Sequence, residues 1–186
     1  LDAARRIRPS FTGGAEWLAL ALGALRGAPV GAKTARYTFA GVSKYAAATA
    51  VGAIGGWTAA NLVDVLTGAA ATAAGAPPAG PFSVLPKAAA AAFGFAAGFY
   101  LAEAPTVYLF PAMIDGERRP WRASFALMRR DGGWIKTAFR TVRIAASMVC
   151  GGFLGRGFLR SWCAGCFAVA IRYESLRTAE SGEGRP

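Results

Sequence analysis

Four ionisable side chains, Asp64, Glu103, Arg156 and Arg160, lie within or at the ends of long apolar runs. A charge placed in an apolar medium is costly, so such positions are where chemistry or specific pairing is first sought. Arg156 and Arg160 are four residues apart and share one face if that stretch is helical. A pairing of Glu103 with Arg156 or Arg160 would offset both desolvation costs and fix helix register. Contact between the guanidinium groups and a lipid phosphate is a second use, because arginine binds phosphate bidentately. Proton or ion conduction is a third, although arginine does not release its proton readily and few other titratable groups accompany it.

The chain contains no His, which excludes a His-ligated haem, a His-bearing zinc or copper site and a Ser-His-Asp triad. Its three cysteines, Cys150, Cys163 and Cys166, are too few for a four-thiolate cluster within one chain. Cys163-Ala-Gly-Cys166 has redox-motif spacing, but its apolar surroundings favour inert, protonated thiols that serve as small packing residues. Gly151-Gly152-Phe-Leu-Gly155 lacks the lysine and hydroxyl residue of a phosphate-binding loop. No catalytic residue, metal site or resident cofactor is expected.

These residues sit in an unusual background. Of 186 residues, 43 are Ala and 24 are Gly, while 54% are hydrophobic types and only 17% are charged. Disorder requires the opposite balance. The formal net charge of +11 does not imply nucleic-acid binding, because the cations are divided among segments between apolar runs. The fold class expected is an all-α integral membrane protein with about three transmembrane helices, or four if the last run is a hairpin, plus short interfacial amphipathic helices.

Residues 1–44 form a basic N-terminal segment, 45–171 a transmembrane module and 172–186 a polar tail. The opening residues, with Arg5, Arg6 and Arg8, have the composition of a mature end beside a mitochondrial or plastid transit peptide. Residues 17–25 are too short to span ~30 Å of hydrocarbon and are expected at the interface or against other subunits. Spans are expected over about 45–63, 88–114 and 144–171, the last as one crossing. Residues 67–86, rich in Gly and Pro, read as a loop. Pro105 and Pro111 should bend or end the second span near an interface anchored by Tyr108 and Phe110. Gly52, Gly56, Gly94, Gly98, Gly151 and Gly155 have the small-residue spacing that lets helix backbones approach.

Residues 1–44 carry seven Lys and Arg, 65–87 only Lys87, and 115–143 eight; in the tail, three cations are offset by three acids. This alternation places the N-terminus on the positive side, the matrix in a mitochondrion. Within the basic connection 115–143, Trp121, Phe125 and Met128 recur at helical spacing among arginines. A short helix there, with Arg118, Arg119, Trp121, Arg122, Arg129 and Arg130, is suited to an anionic membrane surface and a bound cardiolipin or other anionic phospholipid. The alternative is docking onto a neighbouring subunit.

Val51-Gly52-Ala-Ile-Gly55-Gly56 and Cys150-Gly151-Gly152-Phe-Leu-Gly155 resemble the Gly-rich mitochondrial inner-membrane family that contains presequence-translocase channel subunits and a four-span accessory subunit of respiratory complex I. That family's Arg-x-x-x-Asp signature has no counterpart here. The resemblance implies a mitochondrial inner-membrane setting. The function expected is a non-catalytic accessory subunit of an energy-transducing complex of the respiratory chain or ATP synthase, partnered by other membrane subunits and anionic lipids and not by nucleic acid. The alternatives are a transport or protein-translocation channel component and, third, a pigment- or quinone-binding membrane protein.

Overall fold

The computed structural model describes residues 13–30, 34–74 and 84–183, and every regular element among them is helical. The Arg-rich residues 1–12 lie outside the described residues. The helices are α1 (Gly13–Arg26), α2 (Thr34–Ala74), α3 (Val84–Glu103), α4 (Leu109–Ile114), α5 (Pro120–Arg130), α6 (Trp134–Gly151) and α7 (Phe158–Glu183). The chain forms two compact units, one of residues 1–44 with 104–186 and the other of residues 45–103. Residues 104–171, read from sequence as part of one module with 45–103, group with residues 1–44.

Two helices among the described residues are long and apolar enough to cross a membrane, Tyr37–Ala74 and Val84–Ile114. Both exceed the runs read from sequence. Thr67–Ala74, expected as loop, continues α2 because this stretch is Ala-rich and free of proline. The Thr67 and Thr72 hydroxyls donate back to the carbonyls of Val63 and Gly68.

In the unit of residues 45–103, α2 and α3 meet through glycine. A Cβ on Gly55 would lie 2.5 Å from the Gly94 carbonyl oxygen, and one on Gly56 2.8 Å from that of Ala91. A Cβ on Gly52 would lie 3.0 Å from the Phe95 carbonyl, and one on Gly98 2.7 Å from that of Val51. No side chain fits between these backbones. Close contact maximises dispersion, the main source of helix association where lipid competes for apolar surface. The remaining faces carry exposed Val51, Ile54, Trp57, Leu62, Phe93 and Leu101.

The other unit has an orthodox buried core. Ala21 and Leu22 of α1 pack with Val107, Tyr108, Leu127, Ala170 and Tyr173. This corrects the interfacial position expected for residues 17–25, since Leu18, Ala19, Ala21 and Leu22 are all buried. Their spacing supplies an apolar stripe, and α7 supplies its complement. Tyr108 and Phe110 are also interior residues, 3% and 2% exposed, and not interfacial anchors. Pro105 interrupts the helix as expected, whereas Pro111 sits within the first turn of the next helix. The chain passes through a short 3-10 turn, Ala104–Thr106, before α4 begins at Leu109.

The single crossing expected over 144–171 is corrected. α6 ends at Gly151, a π-helical turn covers Gly152–Arg156, and α7 begins at Phe158. Gly155 and Gly157 have φ of 81° and 78°, a left-handed region that favours glycine and reverses the chain. The arms fold back together: Gly165 packs on Met148, and Gly152 packs on Phe158. Gly155 is therefore a turn residue. A Cβ there would meet nothing within 4 Å, which corrects its expected role on a packing face. Gly151 is buried within the last turn of α6. The charge alternation read as three crossings loses its third single crossing here.

Candidate functional site

Two carboxylates, Asp115 and Asp131, organise the core, and sequence reading singled out neither. Asp115 follows α4. Its carboxylate accepts a bidentate pair from Arg26, with Nη1 to Oδ1 at 2.7 Å and Nη2 to Oδ2 at 3.0 Å. The Tyr173 hydroxyl donates to Oδ2 at 2.8 Å, and Arg177 Nη1 donates to it at 2.7 Å. Arg26 Nε also donates to Glu174 Oε1 at 2.9 Å. The carboxylate thereby joins the C-terminal end of α1 to one face of α7. An ionised carboxylate at the end of α1 also finds a guanidinium already favoured there by the helix dipole.

Asp131 lies at the Asp131-Gly132-Gly133 turn between α5 and α6, and its side chain is 1% exposed. Tyr108 donates to Oδ2 at 2.8 Å, and Thr137 donates to it at 3.3 Å. Arg140 of α6 and Arg172 of α7 both donate to Oδ1. Arg140 also reaches the Asp131 carbonyl at 2.9 Å. A buried carboxylate needs compensating charge and hydrogen bonds, and here both oxygens have them. Gly132 and Gly133, with φ of 101° and 86°, let the turn close tightly enough to bring this side chain inward.

Electrostatics follow the geometry. Burial alone would raise the Asp115 carboxyl, but hydrogen bonds from Arg26 and Tyr173 and the charges of Arg26 and Arg177 outweigh it. The group is held below its ordinary value of 3.8. The same contacts raise Arg26, chiefly through its hydrogen bond to Asp115. Burial, and then the hydrogen bond to Asp115, push the Tyr173 hydroxyl up. Arg172 is raised by its hydrogen bond to Asp131. Each carboxylate accepts from a tyrosine and two arginines. That chemistry stabilises and orients helices; it contains no activated nucleophile.

The intramembrane charges proposed from sequence have other surroundings. Asp64 pairs with Lys87, both about half exposed, within the unit of residues 45–103. Glu103 is half-buried at the end of α3. Arg160 is exposed on α7, and the side chain of Arg156 lies outside the described residues. Among the described residues no group of three His, Cys, Asp or Glu is gathered that could hold a metal ion. Cys150, Cys163 and Cys166 are free thiols.

The basic helix exists as α5, Pro120–Arg130, but its faces are apportioned differently. Ser124, Leu127 and Met128 turn into the core, with Ser124 Oγ donating to the Pro105 carbonyl at 2.7 Å. Met128 is thus a core residue and not part of an outward apolar stripe. Trp121 and Phe125 remain exposed, 45% and 44%, on the same side as Arg122, Arg129 and Arg130. Together they line a shallow depression of about 480 Å³. Arg118 and Trp121 border a second, half-open cavity of about 690 Å³, with Tyr37, Phe39, Met113 and Ile114 among its walls. Its size falls within the range of small-molecule pockets. Arg119, also exposed, immediately precedes α5 and makes no side-chain capping hydrogen bond. Aromatic rings beside guanidinium groups suit an amphiphile whose head is anionic and whose body is apolar.

Comparison with family models, with curated proteins and with solved structures gives no match.

Proposed function

We propose that this chain is a non-catalytic integral subunit of a larger energy-transducing membrane complex, acting as a helical scaffold for partner helices and anionic lipid. The observation that carries the reading is the outer surface of α2 and α3. On α3 the buried position is Gly98, against α2, while Trp57 and Phe93 are 70% and 78% exposed. Water-facing helices do not carry apolar residues on every side, whereas helices bathed in lipid or in other subunits do. Support for an assembly role comes from the carboxylates of the core, whose polar contacts are made within the fold. Support for a lipid contact comes from Trp121 and Phe125 set among arginines on α5. The setting proposed is the mitochondrial inner membrane with the N-terminus in the matrix, supported by the basic net charge.

Gentle detergent extraction, native electrophoresis and mass spectrometry test this reading. Quantitative migration with respiratory-chain or ATP-synthase subunits is the expected outcome. Ion conduction or substrate movement by the pure reconstituted chain would assign it to transport instead.

A further inference from the structure

The α6–α7 hairpin presents a surface that nothing among the described residues covers. Ile135, Phe139, Val142, Val149 and Phe153 recur on α6 and the turn at helical spacing, and all are exposed. At the turn itself, Phe153 is 77% exposed and Leu154 79%. The tip of a helical hairpin that ends in water would carry polar residues at these positions.

Charge along the hairpin is arranged in two bands. Lys136, Arg140 and Arg143 stand at the base of α6 and Arg172 at the matching level of α7, where Arg140 and Arg172 share Asp131. Arg156 and Arg160 stand at the tip. Residues 144–155 and 161–171 between the bands carry no charge, and no acid occurs between Asp131 and Glu174. A protein partner would need acids at both levels to match. A bilayer supplies anionic headgroups at both levels and hydrocarbon between them.

We infer that the α6–α7 hairpin inserts into an anionic bilayer, with Lys136 and Arg143 of its base at one headgroup layer and Arg160 of its tip at the other. This rests on the membrane reading of α2 and α3 and extends it to the second compact unit. The uncharged helical arm of eleven residues, 161–171 in α7, is about 17 Å long at 1.5 Å per residue, shorter than the ~30 Å hydrocarbon core. Arginine side chains close such a gap by extending outward at both ends while the bilayer thins locally. Trp134 at the base and Phe153 and Phe158 at the tip then lie at the two interfaces, where aromatic rings concentrate.

The full chain reconstituted in phosphatidylcholine–cardiolipin vesicles tests this. Single reporter thiols are introduced by Ile54→Cys, Ile135→Cys, Val149→Cys or Leu154→Cys, in a background with Cys150, Cys163 and Cys166 changed to Ala. If that background does not fold, exposed Cys150 of the unaltered chain serves as the mid-arm reporter, read by peptide mapping. A fluorophore on Val149→Cys is expected to lose emission to mid-chain-brominated lipid as strongly as one on Ile54→Cys. With Cys150 as the reporter, protection from an impermeant maleimide in vesicles and reaction in detergent is the expected result. Ile135→Cys and Leu154→Cys are expected to react with that maleimide from opposite faces of the vesicle. Quenching at Ile54 without quenching at Val149 overturns the hairpin inference and leaves the membrane reading standing, and so does reaction of Ile135→Cys and Leu154→Cys from one face. Cross-linking of Val149→Cys between two chains, without lipid quenching, assigns the face to a second copy and equally overturns it. Absence of quenching at both Ile54 and Val149 removes the membrane reading itself.

Discussion

Tyr108 and Tyr173 pack ring against ring in the core, their centroids 6.4 Å apart, and each gives its hydroxyl to a different buried carboxylate. Tyr108 donates to Asp131 and Tyr173 to Asp115, both at 2.8 Å. The two charge centres are therefore bridged by an apolar contact between rings whose polar ends point apart. Amphipathic aromatics suit this position because one side chain satisfies both the packing and the hydrogen bond. Helices α1, α6 and α7 converge on this arrangement.

Removing the Asp131 carboxylate should be the most damaging single change in this unit. Asp131→Ala leaves Arg140 and Arg172 facing each other without their shared anion and leaves Tyr108 without its acceptor. Loss of one partner of a buried pair costs about 3–5 kcal/mol; the partly exposed arginines place this case at the lower end. Tyr108→Phe should cost only about 1 kcal/mol, because one hydrogen bond is lost and the ring remains. Thermal unfolding in mild detergent, followed by circular dichroism, checks the order of the two effects.

Asp115 sets an acid limit on stability. Its folded-state value lies below the ordinary 3.8, so the unfolded chain binds the proton more readily. The stabilisation is complete above the ordinary value and is lost as pH falls through the lower folded-state value. Asp115→Asn should be less stable at neutral pH and should show a weaker fall in unfolding midpoint on acidification. Melting curves between about pH 2 and pH 6 distinguish the two chains; equal acid sensitivity would count against the assignment.

Gly94 and Gly68 give a matched pair in the α2–α3 unit. A methyl at Gly94 would collide with the Gly55 carbonyl and come within 2.7 Å of the Ala59 Cβ, whereas one at Gly68 would meet nothing within 4 Å. Gly94→Ala should destabilise the helix pair by about 1–3 kcal/mol, the usual cost of overpacking. Gly68→Ala should instead stabilise α2, by up to ~1 kcal/mol, from helix propensity alone. Cross-linking efficiency between α2 and α3 as temperature rises reads both.

Arg122, Arg129 and Arg130 changed together to Gln should reduce the anionic phospholipid that copurifies with the chain, while neutral phospholipid is retained. Phosphate-headgroup contacts near a membrane surface contribute on the order of 1 kcal/mol per cation. Lipid mass spectrometry after detergent extraction supplies the comparison. An unchanged ratio of anionic to neutral lipid would refute the lipid role of α5.

Ser161 is buried near the hairpin turn, and its Oγ has no hydrogen-bond partner among the described residues. Ser161→Ala should therefore raise stability by about 1 kcal/mol or more, since it removes an unsatisfied polar atom without opening a large cavity. A lower melting midpoint would show that the hydroxyl has a partner in the assembled protein.

The all-helical character and the two long apolar helices were legible from residue order alone. Each is a local property: Ala-rich composition and a run long enough to span. The Gly52, Gly56, Gly94 and Gly98 positions could be nominated because helical spacing places small residues on one face. The turn at Gly152–Arg156 was less legible, because the glycines of this stretch also suit one continuous packed helix, and the backbone angles at Gly155 and Gly157 decide the reversal.

Composition and periodicity thus determined that this polypeptide is helical and has long apolar helices, since both follow from neighbours within a few turns. Which charges matter was decided only in three dimensions. Glu103 and Arg160 stood out by interrupting apolar runs, whereas Asp115 and Asp131 were hidden in a polar connection. Asp131 meets Arg172 across 41 positions, and Asp115 meets Arg26 across 89. Such partners depend on how helices pack, and the energy of a buried carboxylate is set by the cations that packing brings to it.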